Sequence, residues 1–313
     1  MTPMITFNHV TKDFQGQEVL HPLELQIEPG EFFVLVGPSG SGKTTTLKMI
    51  NGLIEPTDGN VYFKGKRIKD YQQNQMRWQM GYVLQQIALF PNLNVAENIA
   101  LIPEMLHWPK EERKQRIDEL LQQVNLDPEQ YRNRRVSELS GGEQQRIGIL
   151  RAIAAKPDVV LMDEPFSALD PLSRTQLQEL VLKLHDTLKT TIVFVTHDMN
   201  EAVKLGDRIA VMNQGTLIQV DTPDNIQQHP KTEIVASMFA PLNHQRTVAS
   251  FRHHVSPLPD KDTDYPMINT TASEQALYQL LSDHVAVVVQ EDGHPLGLLT
   301  QAAVFQCLAE RQR

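Results

Sequence analysis

The stretch GPSGSGKT, residues Gly37-Pro38-Ser39-Gly40-Ser41-Gly42-Lys43-Thr44, follows the apolar run Phe32-Phe33-Val34-Leu35-Val36 and fits the pattern G-x-x-x-x-G-K-[ST] at every position. A buried strand, a glycine-rich turn and a helix over Lys43 to Met49 aim successive backbone N–H groups at one spot, where the helix dipole adds positive potential. Such a spot holds phosphate. In that arrangement Lys43 reaches the β- and γ-phosphates, the Thr44 hydroxyl coordinates Mg²⁺, and Gly40 and Gly42 allow backbone angles that a Cβ would obstruct. Thr45, next in line, is counted with the loop as a nucleotide-binding position.

The chain has 313 residues, 41% of them hydrophobic, enough for two domains with an ordinary core. Its net charge of −9 argues against a nucleic-acid binder working by phosphate neutralisation. The single cysteine, Cys307, excludes an internal disulfide and fits a reducing compartment. No apolar run is long enough to span a bilayer and the N-terminus lacks a signal pattern, so a membrane role is expected to be peripheral.

Apolar segments at Ile5 to Val10, Leu20 to Ile27 and Phe32 to Val36 read as strands, and Val95 to Val124 reads as helical. Val159 to Met162 and Ile192 to Val195 suit strands buried on both faces of a parallel sheet, and each runs into polar residues. In open α/β sheets ligands gather at that carboxyl edge. Ile209 to Val220, with Asn213-Gln214-Gly215 inside it, reads as a hairpin. The segment 241–264 carries Pro241, Pro257, Pro259, His244, His253 and His254 and reads as a linker, since no cysteine or second histidine pair makes a metal site of it. Beyond it, 265–313 reads as a compact β-α-β-β-α unit with a turn at Asp292-Gly293.

Two further groups accompany the loop. After the Val159 to Met162 strand, Asp163 is placed to hold Mg²⁺ and Glu164 to orient and deprotonate an attacking water. At Leu139-Ser140-Gly141-Gly142-Glu143, Ser140 and the N–H groups of Gly141 and Gly142 open an amphipathic helix and make a second anion site. An economical arrangement sandwiches one triphosphate between the first element of one subunit and the second element of another.

The order GPSGSGKT, Gln85, LSGGE, LMDEP, SALD (Ser167 to Asp170) and His197 resembles the ATP-binding subunit of ATP-binding-cassette (ABC) transporters across residues 1–240. That resemblance implies an α/β P-loop NTPase core with an antiparallel β subdomain, a helical subdomain at about 88–157, ATP and Mg²⁺ as ligands, and a head-to-tail dimer. It assigns Phe14 to stacking on adenine, Gln85 to sensing Mg²⁺ and the attacking water with Gln86 as the competing choice, His197 to the γ-phosphate, and Asp170 to the dimer interface. Lys43, Gln85, Glu164 and His197 form the implied catalytic set, and Thr44, Gln85 and Asp163 the metal set. Phe90-Pro91-Asn92-Leu93 resembles the surface that docks a membrane permease. Glu143 stands where the family commonly has glutamine.

The narrower resemblance, carried by Gly81 to Trp108 and by the tail, is to the ATPases of osmoprotectant importers for quaternary amines such as glycine betaine, carnitine or choline. It implies permease subunits, a solute-binding protein reached through them, and a place on the cytoplasmic face of the membrane. The tail, with Val285 to Val289 and Leu296 to Leu299, resembles one cystathionine-β-synthase-type (CBS) repeat, expected to pair with its twin across the dimer or to take a nucleotide ligand. An importer of methionine, polyamine or another solute remains an alternative, as does a soluble cassette ATPase acting on a macromolecule, although the chain has one cassette and no sustained heptads.

Overall fold

The computed structural model describes residues 2–85, 88–167, 169–243, 248–258, 265–291 and 293–310. Its contacts divide the chain into two units, Met1–Met238 and Phe239–Arg313. Among the described residues no helix is long and apolar enough to cross a membrane.

In chain order the first unit contains β1 (Ile5–Phe14), β2 (Gln17–Ile27), β3 (Phe32–Val36), α1 (Lys43–Ile50), β4 (Asp58–Phe63), β5 (Lys66–Arg67), α2 (Gln73–Arg77) and β6 (Met80–Val83). Next come α3 (Val95–Met105), α4 (Lys110–Gln123), α5 (Pro128–Tyr131), α6 (Gly141–Ile153), β7 (Val159–Asp163), α7 (Pro171–Leu188), β8 (Thr191–Thr196), α8 (Met199–Leu205), β9 (Arg208–Asn213), β10 (Thr216–Asp221) and α9 (Pro223–Gln228), and the division between the units falls within α10 (Glu233–Asn243). An antiparallel sheet takes the order β2-β1-β4-β5, and a six-stranded sheet the order β10-β9-β3-β8-β7-β6. In the second sheet β3, β6, β7, β8 and β9 run parallel, and β10 returns antiparallel through the expected hairpin. Every residue of β3, β7 and β8 is buried, which explains why these strands read as continuous apolar runs without alternation.

Two elements depart from the expectation. β1 continues to Phe14 because Lys12, Asp13 and Phe14 pair with the start of β2 after register shifts on either side of Val10. The helical stretch after Val95 is two helices, interrupted where His107 turns to φ 58° and Pro109 disfavours helical angles at Trp108. Within this region Arg116 of α4 is buried and donates to the carbonyls of Ile153 and Ala154 at 3.2 Å each. It satisfies the C-terminal end of α6, where a cation is also favoured by the helix dipole.

The second unit holds β11 (Met267–Asn269), α11 (Glu274–Asp283), β12 (Ala286–Glu291), β13 (His294–Thr300) and α12 (Gln301–Glu310), with β11 parallel and β13 antiparallel to β12. The expected β-α-β-β-α order is therefore present, while Asp292 of the expected turn lies outside the described residues. The linker expectation for 241–264 is corrected. Residues Val248–His254 form a short 3₁₀ helix whose Val248 and Phe251 are fully buried with Ile268, Leu277, Val287, Leu299 and Cys307. Ser256 also pairs with Leu298 beside β13. A unit this small buries enough apolar surface only by drawing its preceding segment into the core. His244 and Pro259 of that expectation lie outside the described residues.

Phe251→Ala should destabilise the tail by about 3–5 kcal/mol, seen as earlier denaturant-induced loss of hydrogen-exchange protection in β12. A change within about 0.5 kcal/mol, ordinary for an exposed linker, would overturn this packing.

Candidate functional site

Parallel register builds the site. Val36 of β3 lies opposite Thr196 of β8, and Val195 of β8 opposite Asp163 of β7, so three strands end on one edge with neighbouring chains about 4.8 Å apart. The glycine loop leaves β3, Asp163 and Glu164 close β7, and His197 follows β8. Val83 of β6 pairs with Met162, which brings Gln85, two residues on, along the same edge as an exposed residue. Gln86 lies outside the described residues.

The loop is held by its own lysine. Lys43 is buried, and its Nζ donates to the carbonyls of Gly37 at 2.7 Å and Pro38 at 2.8 Å. Burial pushes its ammonium below the usual lysine pKa, while the carboxylates of Glu164 and Asp163 pull it back up. Thr44 Oγ1 donates to Asp163 Oδ1 at 2.9 Å. Burial raises the Asp163 carboxyl, and the Thr44 hydrogen bond and nearby Lys48 oppose that shift. A hydroxyl and a carboxylate in contact are hard oxygen donors of the kind Mg²⁺ takes. Pro38, Ser39 and Gly40 are exposed, Ser41 and Gly42 buried and Thr45 half-buried, so the loop presents its outer turn to solvent.

Within the loop, glycine is required most sharply at its first position. Gly37 has φ 154°, and a Cβ there would lie 2.0 Å from the carbonyl oxygen of Met212 on β9. At Gly40 φ is 77° and a Cβ would meet nothing within 4 Å.

Glu164 sits in left-handed backbone, φ 46°, rare for a residue with a side chain. Its N–H donates to Val195 O at 3.0 Å, and Ser167 Oγ donates to its carbonyl at 3.0 Å. These bonds hold the strained turn. The Glu164 Oε2 to His197 Nδ1 distance is 3.0 Å, so a protonated Nδ1 donates to the carboxylate. Behind His197, Thr196 Oγ1 donates to the buried Glu201 at 2.6 Å and accepts from Asp198 N–H at 3.0 Å. Burial raises the Glu201 carboxyl.

Ser140 caps α6. Its Oγ accepts from Glu143 N–H at 3.3 Å while Glu143 Oε2 accepts from Ser140 N–H at 2.7 Å. Ser140 and Gly141 are exposed. Asp170 caps α7 by accepting from Ser173 N–H at 3.0 Å. Phe14, at the end of β1, is 44% exposed with Lys12 Nζ 4.7 Å from its ring centroid, so one face already engages a cation.

Lys43, Thr44, Asp163, Glu164 and His197 are thus joined by contacts within this chain. Ser140 to Gly142, Phe14, Gln85 and Asp170 stand as separate surface elements. Sequence reasoning missed two buried amides. Gln145 of α6 donates to Pro165 O at 2.6 Å, tying that helix to the residue after Glu164. Asn98 of α3 accepts from Phe90 N–H at 2.9 Å and donates to carbonyls of Phe90, Leu93 and Asn94 at 3.0 to 3.3 Å, shaping the loop that presents the exposed Phe90. The available signal was a polar residue at a core-facing helical position, next to Ile99 in one case and four before Ile149 in the other.

A phosphate-binding loop on β3 with acids at β7 and a histidine after β8 defines a P-loop nucleotide-binding fold. An ABC transporter family model matches residues 20–167. The choline transport ATP-binding protein OpuBA of Bacillus subtilis is 43% identical over 97% of this chain and 77% of its own length. The glycine betaine/carnitine/choline transport ATP-binding protein OpuCA of the same organism is 51% identical over 74% of this chain and 61% of its own length, so the match omits more than a third of that relative. A solved dimer of the ATP-binding cassette MJ0796 bound to ADP and Pi is 34% identical, with TM-score 0.63, and covers 70% of this chain and 99% of that one. The chain belongs to the ATP-binding proteins of ABC transporters.

Gly40→Ala should cost about 1–2 kcal/mol, the strain of left-handed backbone alone, whereas Gly37→Ala should cost about 2–5 kcal/mol because it adds to that strain a collision with a fixed carbonyl. Denaturant unfolding of the two variants checks this, and equal losses would refute it.

Proposed function

We propose that this chain is the ATP-hydrolysing subunit of an importer for quaternary-amine osmoprotectants such as glycine betaine, carnitine or choline. It works with a separate membrane permease and with a second copy of itself. The observation that carries the reaction is the joined set on one sheet edge: Lys43 in the loop, Thr44 on Asp163, and Glu164 on His197. The cargo reading is supported by the relatives whose names state choline or glycine betaine/carnitine/choline transport.

In this reading ATP lies along the Gly37 to Thr45 loop with adenine against Phe14, and Lys43 moves from the loop carbonyls to the phosphate oxygens. Thr44 and Asp163 would hold Mg²⁺ with Gln85 nearby, and the ion would neutralise phosphate charge. Glu164 takes a proton from the attacking water while its contact with His197 orients the carboxylate, and His197 also faces the γ-phosphate. Ser140, Gly141 and Gly142 of the second copy close the site, with Asp170 at the interface, as expected of a nucleotide sandwiched head to tail. ATP binding closes the dimer and phosphate release reopens it. The Phe90 to Leu93 loop, shaped by Asn98, would dock the permease and keep the subunit peripheral at the cytoplasmic face, with a solute-binding protein reached through that permease. The tail is read as one CBS-like regulatory unit that pairs with its twin or takes a nucleotide. Its exposed Phe305 and Tyr278 beside a small core support the pairing.

Glu164→Gln should retain ATP binding, accumulate a closed dimer in ATP, and lose roughly 10²- to 10⁴-fold in turnover, the range for a general base. Steady-state hydrolysis near the parental rate would remove Glu164 from this role. In a complex reconstituted with its permease and binding protein, glycine betaine, carnitine or choline should stimulate ATP hydrolysis. Stimulation by methionine or a polyamine instead would overturn the cargo reading.

A further inference from the structure

At the start of α6 both oxygens of one carboxylate are held. Glu143 Oε2 accepts from Ser140 N–H at 2.7 Å, and Oε1 accepts the Tyr131 hydroxyl at 2.5 Å. The first bond belongs to the helix's own capping box, which explains why glutamate suits this third helical position. The second does not, because Tyr131 comes from α5. Its placement is well supported. Tyr131 N–H donates to Asp127 O at 2.9 Å, the Arg134 guanidinium lies 4.1 Å from its ring centroid, and neighbouring Arg132 pairs with Asp118 of α4 at 2.5 Å.

The Tyr131 bond is the foremost reason that the Glu143 carboxyl is held below the usual glutamate range, so the group is an anion at neutral pH. The same bond raises the phenol, which therefore remains a donor. An anion at the third position of a helix complements the dipole while nothing else approaches. In the head-to-tail dimer, however, the same N-terminus faces the triphosphate held by the other copy. Two like charges brought together where water is excluded repel far more than they would in bulk solvent.

We propose that Tyr131 is a positioning residue that fastens Glu143 to its own cap, so that the Ser140 to Gly142 end of α6 offers hydroxyl and N–H donors, and no carboxylate, to the second copy's nucleotide. This rests on the head-to-tail reading given above. It assigns a role in dimer closure to a residue outside every nucleotide-binding motif. A plain structural staple between α5 and α6 is the competing explanation, and the two make opposite statements about removing the charge.

The test uses the full chain in a Glu164→Gln background and reads the ATP concentration for half-maximal dimer formation by light scattering. Adding Tyr131→Phe should raise that concentration roughly three- to tenfold, the net scale of one ordinary hydrogen bond, and added salt should shrink the effect. Adding Glu143→Gln as well should return the midpoint to that of Glu164→Gln alone, because the repelling charge is gone. An unchanged midpoint with Tyr131→Phe, or no recovery in the triple variant, would overturn the proposal in favour of the staple. If Glu164→Gln itself forms no ATP-dependent dimer, the head-to-tail reading fails and this proposal falls with it.

Discussion

The parallel pairing of β3, β8 and β7 is the constraint on which the rest of the molecule depends. Because Val36, Thr196, Val195 and Asp163 are held in register by backbone hydrogen bonds, the groups that follow them arrive together without any long-range instruction of their own. A shift of one residue in either pairing would turn alternate side chains to the opposite face of a sheet buried on both sides. The site's precision is thus inherited from a core that has other reasons to be rigid.

What is added on that edge is a set of short polar ties, each holding a backbone that would otherwise relax. Glu164 keeps its left-handed angle because its N–H is engaged by Val195 of β8 and its carbonyl by Ser167 of the same turn. The loop after β8 is pinned through Thr196 to Glu201, which also accepts from Gln178 of α7 at 3.4 Å. Gln145 joins α6 to the same turn from the other side. The turn after β7 is consequently shared by the sheet and by the helix that opens at Ser140, and a displacement of one bears on the other.

Much of this was legible in the sequence, for identifiable reasons. The loop, the acid pair and the histidine each follow a run of apolar residues that can only be an interior strand, so their placement on one sheet edge was readable. Helix and strand ends that depend on pairing were not. β1 extends to Phe14 because β2 is there to receive it, and the 95–124 region breaks at Pro109 although its apolar spacing continues. The segment around Phe251 looked like a linker because prolines and histidines dominate its composition, while two apolar side chains decide its packing. Asn98, Gln145 and Tyr131 were silent for a related reason: Gln145 and Tyr131 each meet a partner in another segment and Asn98 meets the loop before its own helix, and a single polar residue on a helix carries no pattern that names its partners.

Lys43 gives the nucleotide site a property that its motif does not declare. With Nζ bonded to the carbonyls of Gly37 and Pro38, the loop already satisfies its own cation and keeps its shape. Thr44 and Asp163 likewise satisfy each other. The protein is therefore its own first ligand, and in the proposed function an incoming triphosphate would have to displace that ligand before it gained the lysine. Affinity is then the difference between two sets of hydrogen bonds to one ammonium, so a loop that cradled its lysine more comfortably would release nucleotide more readily.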